Sequence, residues 1–124
     1  MKTWFTVKNN AAAPGGTPTA TISIHDEIGY WGVTAKDFID AFRAIPEDAQ
    51  ITLSVHSPGG EVFDALAIYN VLKAASHRIT ARIEGLAASA ASLIVMAAGK
   101  IVMPQNSYMM IHNPVTIAWG EVSD

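Results

Sequence analysis

The chain has 124 residues, of which 50% are hydrophobic and 15% charged, with a formal net charge of −3. That length favours one compact domain, and so high an apolar fraction excludes a disordered chain. The eight Lys and Arg are scattered and there is no cysteine, which excludes a nucleic-acid footprint, a disulfide scaffold, a thiolate zinc site and a Cys nucleophile.

Along the chain, Trp4–Val7 reads as a short terminal edge strand, with a docking arm as the less favoured alternative. Asn9–Pro18 is the one linker-like stretch, since Pro14, Gly15, Gly16 and Pro18 oppose both helix and sheet. This divides the chain into an arm and linker over 1–18 and a main domain over 19–124. Thr21–His25 alternates as a strand. Thr34 is the expected N-cap of a helix that carries Phe38, Ile39, Phe42 and Ile45 at helical spacing and ends at Pro46. Ile51–His56 is a second alternating strand, followed by the tight loop Ser57-Pro58-Gly59-Gly60 and a helix over Glu61–Ala75. Ile79–Glu84 is a third strand. Gly85–Ala88 then leads into an Ala-rich helix running to about Ala98 and closed by Gly99. Ile101–Met103 and Tyr108–His112 complete the list as short strands. Alternating strands and helices predict an α/β domain with mostly parallel pairing, whose sites lie beyond the carboxyl ends of the strands. The most apolar run, Leu86–Gly99, is shorter than the roughly 20 residues of a membrane span. Met1–Asn10 does not read as a signal peptide. A cytoplasmic protein with no membrane or nucleic-acid partner is therefore expected.

Three segments carry chemistry. Adjacent glycines at 59 and 60 let another chain approach closely and can present main-chain N–H groups to an oxyanion or peptide, although Pro-Gly-Gly also serves as an ordinary turn. Gly85–Ser92 opens a helix, where Ser89 has free N–H groups beside it and the positive end of the helix dipole. The bland alternative for Ser89 is a helix N-cap. Ala87 and Ala91 depart from G-x-S-x-G. Ser92, one turn on, is expected to be packed or bonded to backbone. His112 ends an apolar strand before Asn113-Pro114 and is placed as a general base. His25 and His56 also end strands and could line the same face, whereas His77 is expected in solvent. Glu61 and Asp64 suit the first turn of the second helix. No His/Asp/Glu set has metal-ligand spacing and no phosphate loop is present, so neither metal nor cofactor is expected.

Taken in order, strand-Ser-Pro-Gly-Gly-helix, Gly-x-Ala-Ala-Ser opening a helix, and Met-Ile-His-x-Pro resemble the ClpP-like serine peptidase family, that of the Clp protease proteolytic subunit. The resemblance covers about Thr19 to Pro114. The stretch Ile24–Ala41 looks closest to ClpP-related head maturation proteases of phages and prophages. The resemblance implies the ClpP/crotonase spiral of strand-helix units and serine-type hydrolysis of peptide bonds. By position in the motif, Ser89 matches the nucleophile and His112 the base. The N–H groups of Gly59 and Ala90 match the oxyanion hole, and Ser57, Pro58 and Gly60 flank an extended polypeptide substrate. A homo-oligomeric ring, heptameric in the family, is implied; an AAA+ unfoldase partner is left open.

The family's triad acid lies well downstream of its His. Glu121 and Asp124 stand too close to His112 to match it, and the family's handle region has no counterpart. The expectation is therefore a chain truncated at its C-terminus, with weak or no activity, because loss of such an acid costs on the order of 10⁴ in turnover. Three alternatives stay open. One is a signal-peptide-peptidase-like Ser/Lys enzyme using Lys73 or Lys100. The others are a crotonase-type acyl-CoA enzyme and a non-catalytic assembly subunit.

Overall fold

The computed structural model describes residues 2–10, 12 and 14–111. Its centre is a six-stranded sheet. Strand β1 (Phe5–Asn10) pairs antiparallel with β2 (Thr19–Ile24), which runs parallel to β3 (Gln50–Ser57). Next comes β4 (Ile79–Ala88), parallel to β3. The far edge of β4 takes two short parallel strands in succession: β5 (Lys100–Val102) along Thr80–Arg82, and β6 (Tyr108–Met110) along Leu86–Ala88. The predicted parallel α/β order is therefore present, with β1 as an antiparallel edge strand.

Alternation decides which face is covered. Ala20, Ile22 and Ile24 of β2, Ile51, Leu53 and Val55 of β3, and Ile79, Ala81 and Ile83 of β4 are all buried on one face. Helices α1 (Ala35–Arg43), α2 (Val62–Lys73) and α3 (Ala90–Val95) contribute Phe38, Phe42, Ala65, Ile68, Leu72, Ala91, Ile94 and Val95 to the same core. At the entry to α1, the Thr34 N–H donates to the Asp37 carboxylate at 2.8 Å, which satisfies one of the donors that a helix start leaves over.

The N-terminal segment belongs to this packing. Trp4 is fully buried and stacks on Phe38 with ring centroids 5.7 Å apart, and its indole N–H donates to Val33 O at 2.7 Å. Strand β1 runs on to Asn10, which pairs with Thr19, so the linker-like stretch begins later than composition indicated.

Two boundaries shift near the carboxyl end of the sheet. β4 continues through Gly85–Ala88, which was expected to be a lead-in loop, because β6 supplies a hydrogen-bonding partner there. α3 stops at Val95, and Ala97 and Ala98 continue in tighter turns bonded to Ile94 O and Val95 O. Gly99 then docks its N–H on Ser76 O and Ile79 O, at 2.9 and 3.1 Å. Among the described residues no helix is long and apolar enough to cross a membrane.

Candidate active site

β4 hands over to α3 at Ser89, which adopts φ 57 and ψ −122. A non-glycine residue there costs on the order of 1–3 kcal/mol and persists only where its surroundings enforce it. Two neighbours do so. The Ser89 N–H donates to Met110 O of β6 at 2.8 Å, and its carbonyl accepts from the N–H groups of Ser92 and Leu93 at 3.0 and 3.4 Å. The Ser92 hydroxyl, itself buried, donates to the same carbonyl at 2.6 Å. Ser92 thus has the backbone-bonded role expected of it. Ser89 stands at the N-cap position of α3, but its side chain makes no capping bond, and among the described residues its half-buried hydroxyl has no hydrogen-bond partner.

The Ser57–Gly60 loop meets this turn directly. Gly59 lies at φ 115, and a Cβ on it would stand 2.9 Å from Ala88 O, 3.0 Å from Ser89 Cβ and 3.3 Å from Ala90 N. Only a residue without a side chain permits that approach. Gly60 is bridged to Ile28, with Ile28 N–H donating to Gly59 O at 2.7 Å and Glu61 N–H to Ile28 O at 3.0 Å. Ser57 is buried and pins the loop from inside. Its hydroxyl donates to Asp26 O at 2.7 Å and accepts from Gly59 N–H at 3.1 Å.

The expected oxyanion donors therefore differ in state. Ala90 is the first residue of α3, so its N–H has no intrahelical acceptor, and it makes no other backbone bond among the described residues. The Gly59 N–H is already held by Ser57 Oγ. The Gly60 N–H stands outside both bridge bonds. Pro58 is exposed at the rim.

His112 lies outside the described residues. Met110, two positions before it, is the residue bonded to Ser89 N–H. His25 and His77 are exposed at the end of β2 and in a short turn after α2. Glu61 caps α2, its carboxylate accepting Asp64 N–H at 2.9 Å, as its position indicated. Among the described residues no group of three or more His, Asp and Glu could hold a metal. The two lysines of the Ser/Lys alternative stand away from Ser89. Lys100 pairs with Thr80 near the opposite end of β4, roughly 25–30 Å along the strand at about 3.3 Å per residue. Lys73 closes the far end of α2 from the glycine loop.

Sequence reasoning missed one feature of this site. β3 and β4 stay in register to the pair Val55–Ile83 and resume at Ser57–Ala87, so His56 alone faces Glu84, Gly85 and Leu86. Its imidazole Nδ1 accepts the Leu86 N–H at 3.2 Å. The only signal in the sequence is Gly85, at which a Cβ would stand 2.7 Å from that Nδ1.

The chain is similar to several known proteins. The family model described as Clp protease matches residues 35–124. An uncharacterized protein of Methanocaldococcus jannaschii is 34% identical over 102 residues, covering 73% of this chain and 36% of that protein. The ATP-dependent Clp protease proteolytic subunit of Bacteroides fragilis is 37% identical over 76 residues, covering 60% of this chain and 37% of that one. The subunit of the same name from Bacteroides thetaiotaomicron is 36% identical over 76 residues, with 60% and 34% covered. The chain thus spans about a third of the length of these relatives. Among solved structures, an enoyl-CoA hydratase/isomerase family member superposes with a TM-score of 0.63 at 13% identity, covering 91% of this chain and 52% of that one. At that identity the likeness is one of fold, the ClpP/crotonase fold.

Proposed function

The chain belongs to the Clp protease family, and from that premise we propose that it is the nucleophile-bearing part of a serine-type peptidase. Ser89 attacks the scissile carbonyl. His112 takes the Ser89 proton and returns it to the leaving amine, which releases the first product and leaves an acyl-Ser89 ester for water to hydrolyse. The oxyanion of each tetrahedral intermediate faces the Ala90 N–H. Gly59 joins as second donor by exchanging Ser57 Oγ for the substrate oxygen. Ser57, Pro58 and Gly60 shape the wall along which an extended substrate chain lies.

One observation carries this reading. The strained Ser89 keeps its hydroxyl out of helix capping, with a side-chain-free Gly59 against it and Met110 O on its N–H. A turn built only to start a helix has no need of that strain. The position of Lys100 against Thr80 weighs against a Ser/Lys pair. Glu61, the acid next to the glycine loop, has its carboxylate engaged by Asp64 N–H, which weighs against a crotonase-type acid.

A fluorophosphonate probe should label the full-length protein at one site, and Ser89→Ala should abolish the label. Full labelling of that variant refutes the assignment. We further propose a cytoplasmic homo-oligomeric ring that acts on polypeptides, within the phage and prophage head-maturation branch, on the strength of the Ile24–Ala41 stretch. Native mass spectrometry of the full-length protein and cleavage of capsid or scaffold proteins from the same genome test those two statements. A monomer, or intact capsid substrates beside an active probe-labelled enzyme, overturns them.

A further inference from the structure

The bulge between β3 and β4 has a consequence for the reaction, given the Ser89 reading above. Where β4 carries three residues against one on β3, the strand loses its ladder to β3. Beyond the bulge the next pairs are Ser57–Ala87 on one side and Ala88–Met110 on the other, and Ser89 follows at once. The bulge therefore sets the direction in which β4 delivers Ser89 to Gly59. Within it the Leu86 N–H is held by a side chain, the Nδ1 of His56. The imidazole lies over Gly85, where any Cβ would displace it.

We propose that His56 is a positioning residue for the Ser89 reaction, pinning the β4 bulge only while its imidazole is neutral and so adding a second proton dependence to acylation. Nδ1 accepts a hydrogen bond only when it carries no proton. In the imidazolium both ring nitrogens are donors, so the Leu86 N–H would face another N–H and lose its partner. Histidine is the side chain whose charge ordinarily changes between pH 5 and 8. The groups around His56 are few. Arg82 and Glu84 share its outward face of the sheet on β4. The Glu84 carboxylate is engaged by the Arg82 guanidinium at 3.2 Å and by Ser54 Oγ at 3.1 Å. On the β2 side, His25 follows Ile24, the residue paired with Val55, and Asp26 comes next. No acid among the described residues bonds His56, and its one hydrogen bond there is the one it accepts from Leu86 N–H.

The test uses the full-length protein and the rate at which a fluorophosphonate phosphonylates Ser89, with fluoride leaving, between pH 5 and 8. Wild type should lose rate on the acidic side more steeply than one proton on the catalytic base allows, until it reaches the level of His56→Ala. Each proton accounts for about tenfold per pH unit. His56→Asn places an amide oxygen where Nδ1 stands and accepts at every pH, so its slope should fall to one. His56→Ala should be slow across the range, also with a slope of one. Superimposable acidic limbs for wild type and His56→Asn overturn the proposal. Hydrogen exchange over Gly85–Ala91, corrected for intrinsic pH dependence, gives a readout independent of catalysis. Protection in wild type should drop through the histidine range, stay level in His56→Asn and be low throughout in His56→Ala. Constant protection in wild type overturns the proposal. Labelling that persists in Ser89→Ala overturns the nucleophile assignment instead, with the exchange result still judging His56.

Discussion

The approach of Gly59 to the Ser89 turn can be tested by filling the space that its missing side chain leaves. Gly59→Ala adds a Cβ at φ 115, with Ala88 O at 2.9 Å, Ser89 Cβ at 3.0 Å and Ala90 N at 3.3 Å. An alanine held at that backbone angle costs about 1–3 kcal/mol. Overpacking adds about 1–3 kcal/mol, and since two of the three neighbours are backbone atoms, no side chain can swing aside to absorb it. Retreat of the loop is the alternative. It would strain the Ser57 Oγ bonds and the Ile28 bridge, whose distances of 2.7–3.1 Å show them well formed. Against a domain stability of about 5–15 kcal/mol the fold survives, with the loop moved away from Ser89.

Phosphonylation of Ser89 by a fluorophosphonate should then fall by about 10²–10³, the scale of one lost oxyanion donor, and the thermal midpoint should drop as well. Gly15→Ala is the matched control. Gly15 also has a positive φ, 78, but a Cβ there meets nothing within 4 Å. It should show the backbone cost alone, with the phosphonylation rate intact. A Gly59→Ala protein that matches Gly15→Ala in both measurements refutes the close approach of the glycine loop to the nucleophile.

Three further outcomes follow from the same geometry. Ser57→Ala leaves Asp26 O and Gly59 N–H without the hydroxyl that joins them, and should lower the urea unfolding free energy by about 1–3 kcal/mol. Ser92→Ala removes a 2.6 Å bond to Ser89 O that two N–H groups still serve. It should cost about 0.5–1.5 kcal/mol while the Ser89 label stays stoichiometric; loss of the label would exchange the roles of the two serines. The Lys36 ammonium is raised above its ordinary pKa, first by its hydrogen bond to Asp40 and then by that carboxylate's charge. A raised lysine contributes stability below its unfolded-state pKa and loses it as pH climbs through the folded value. Lys36→Met should therefore leave the pH 6–8 stability profile flat, with any small offset vanishing in high salt.

The strand and helix order was legible because burial on one face writes itself as alternation. Ile51, Leu53 and Val55 of β3 and Phe38 and Phe42 of α1 stand on the core side in the register their spacing predicts. The shifted boundaries have a common cause. Gly85–Ala88 became strand, and α3 gave way to turns at Ala97, because pairing with β6 and docking of Gly99 on Ser76 are contacts between segments distant in sequence. No local pattern encodes them. Ser57–Gly60 and Ser89 were legible as residues, yet each taken alone also fitted an ordinary turn or cap. What neither shows alone is their close approach, Gly59 against Ser89, which is a property of the fold.

Strain and hydrogen bonding at Ser89 make one device. A serine that capped α3 would relax its backbone and use its hydroxyl, and both would be lost to chemistry. Here the backbone is held at φ 57 from two sides, by β6 through Met110 O and by the first turn of α3 through Ser92 and Leu93. Among the described residues the hydroxyl has no hydrogen-bond partner. Leu86 and Ala87 are the last residues of β4 that β3 touches before the turn. Removing any one support should shift the energy of the acylation transition state more than that of the folded protein, because the supports hold the backbone that carries the hydroxyl, while the core beneath is packed by other residues.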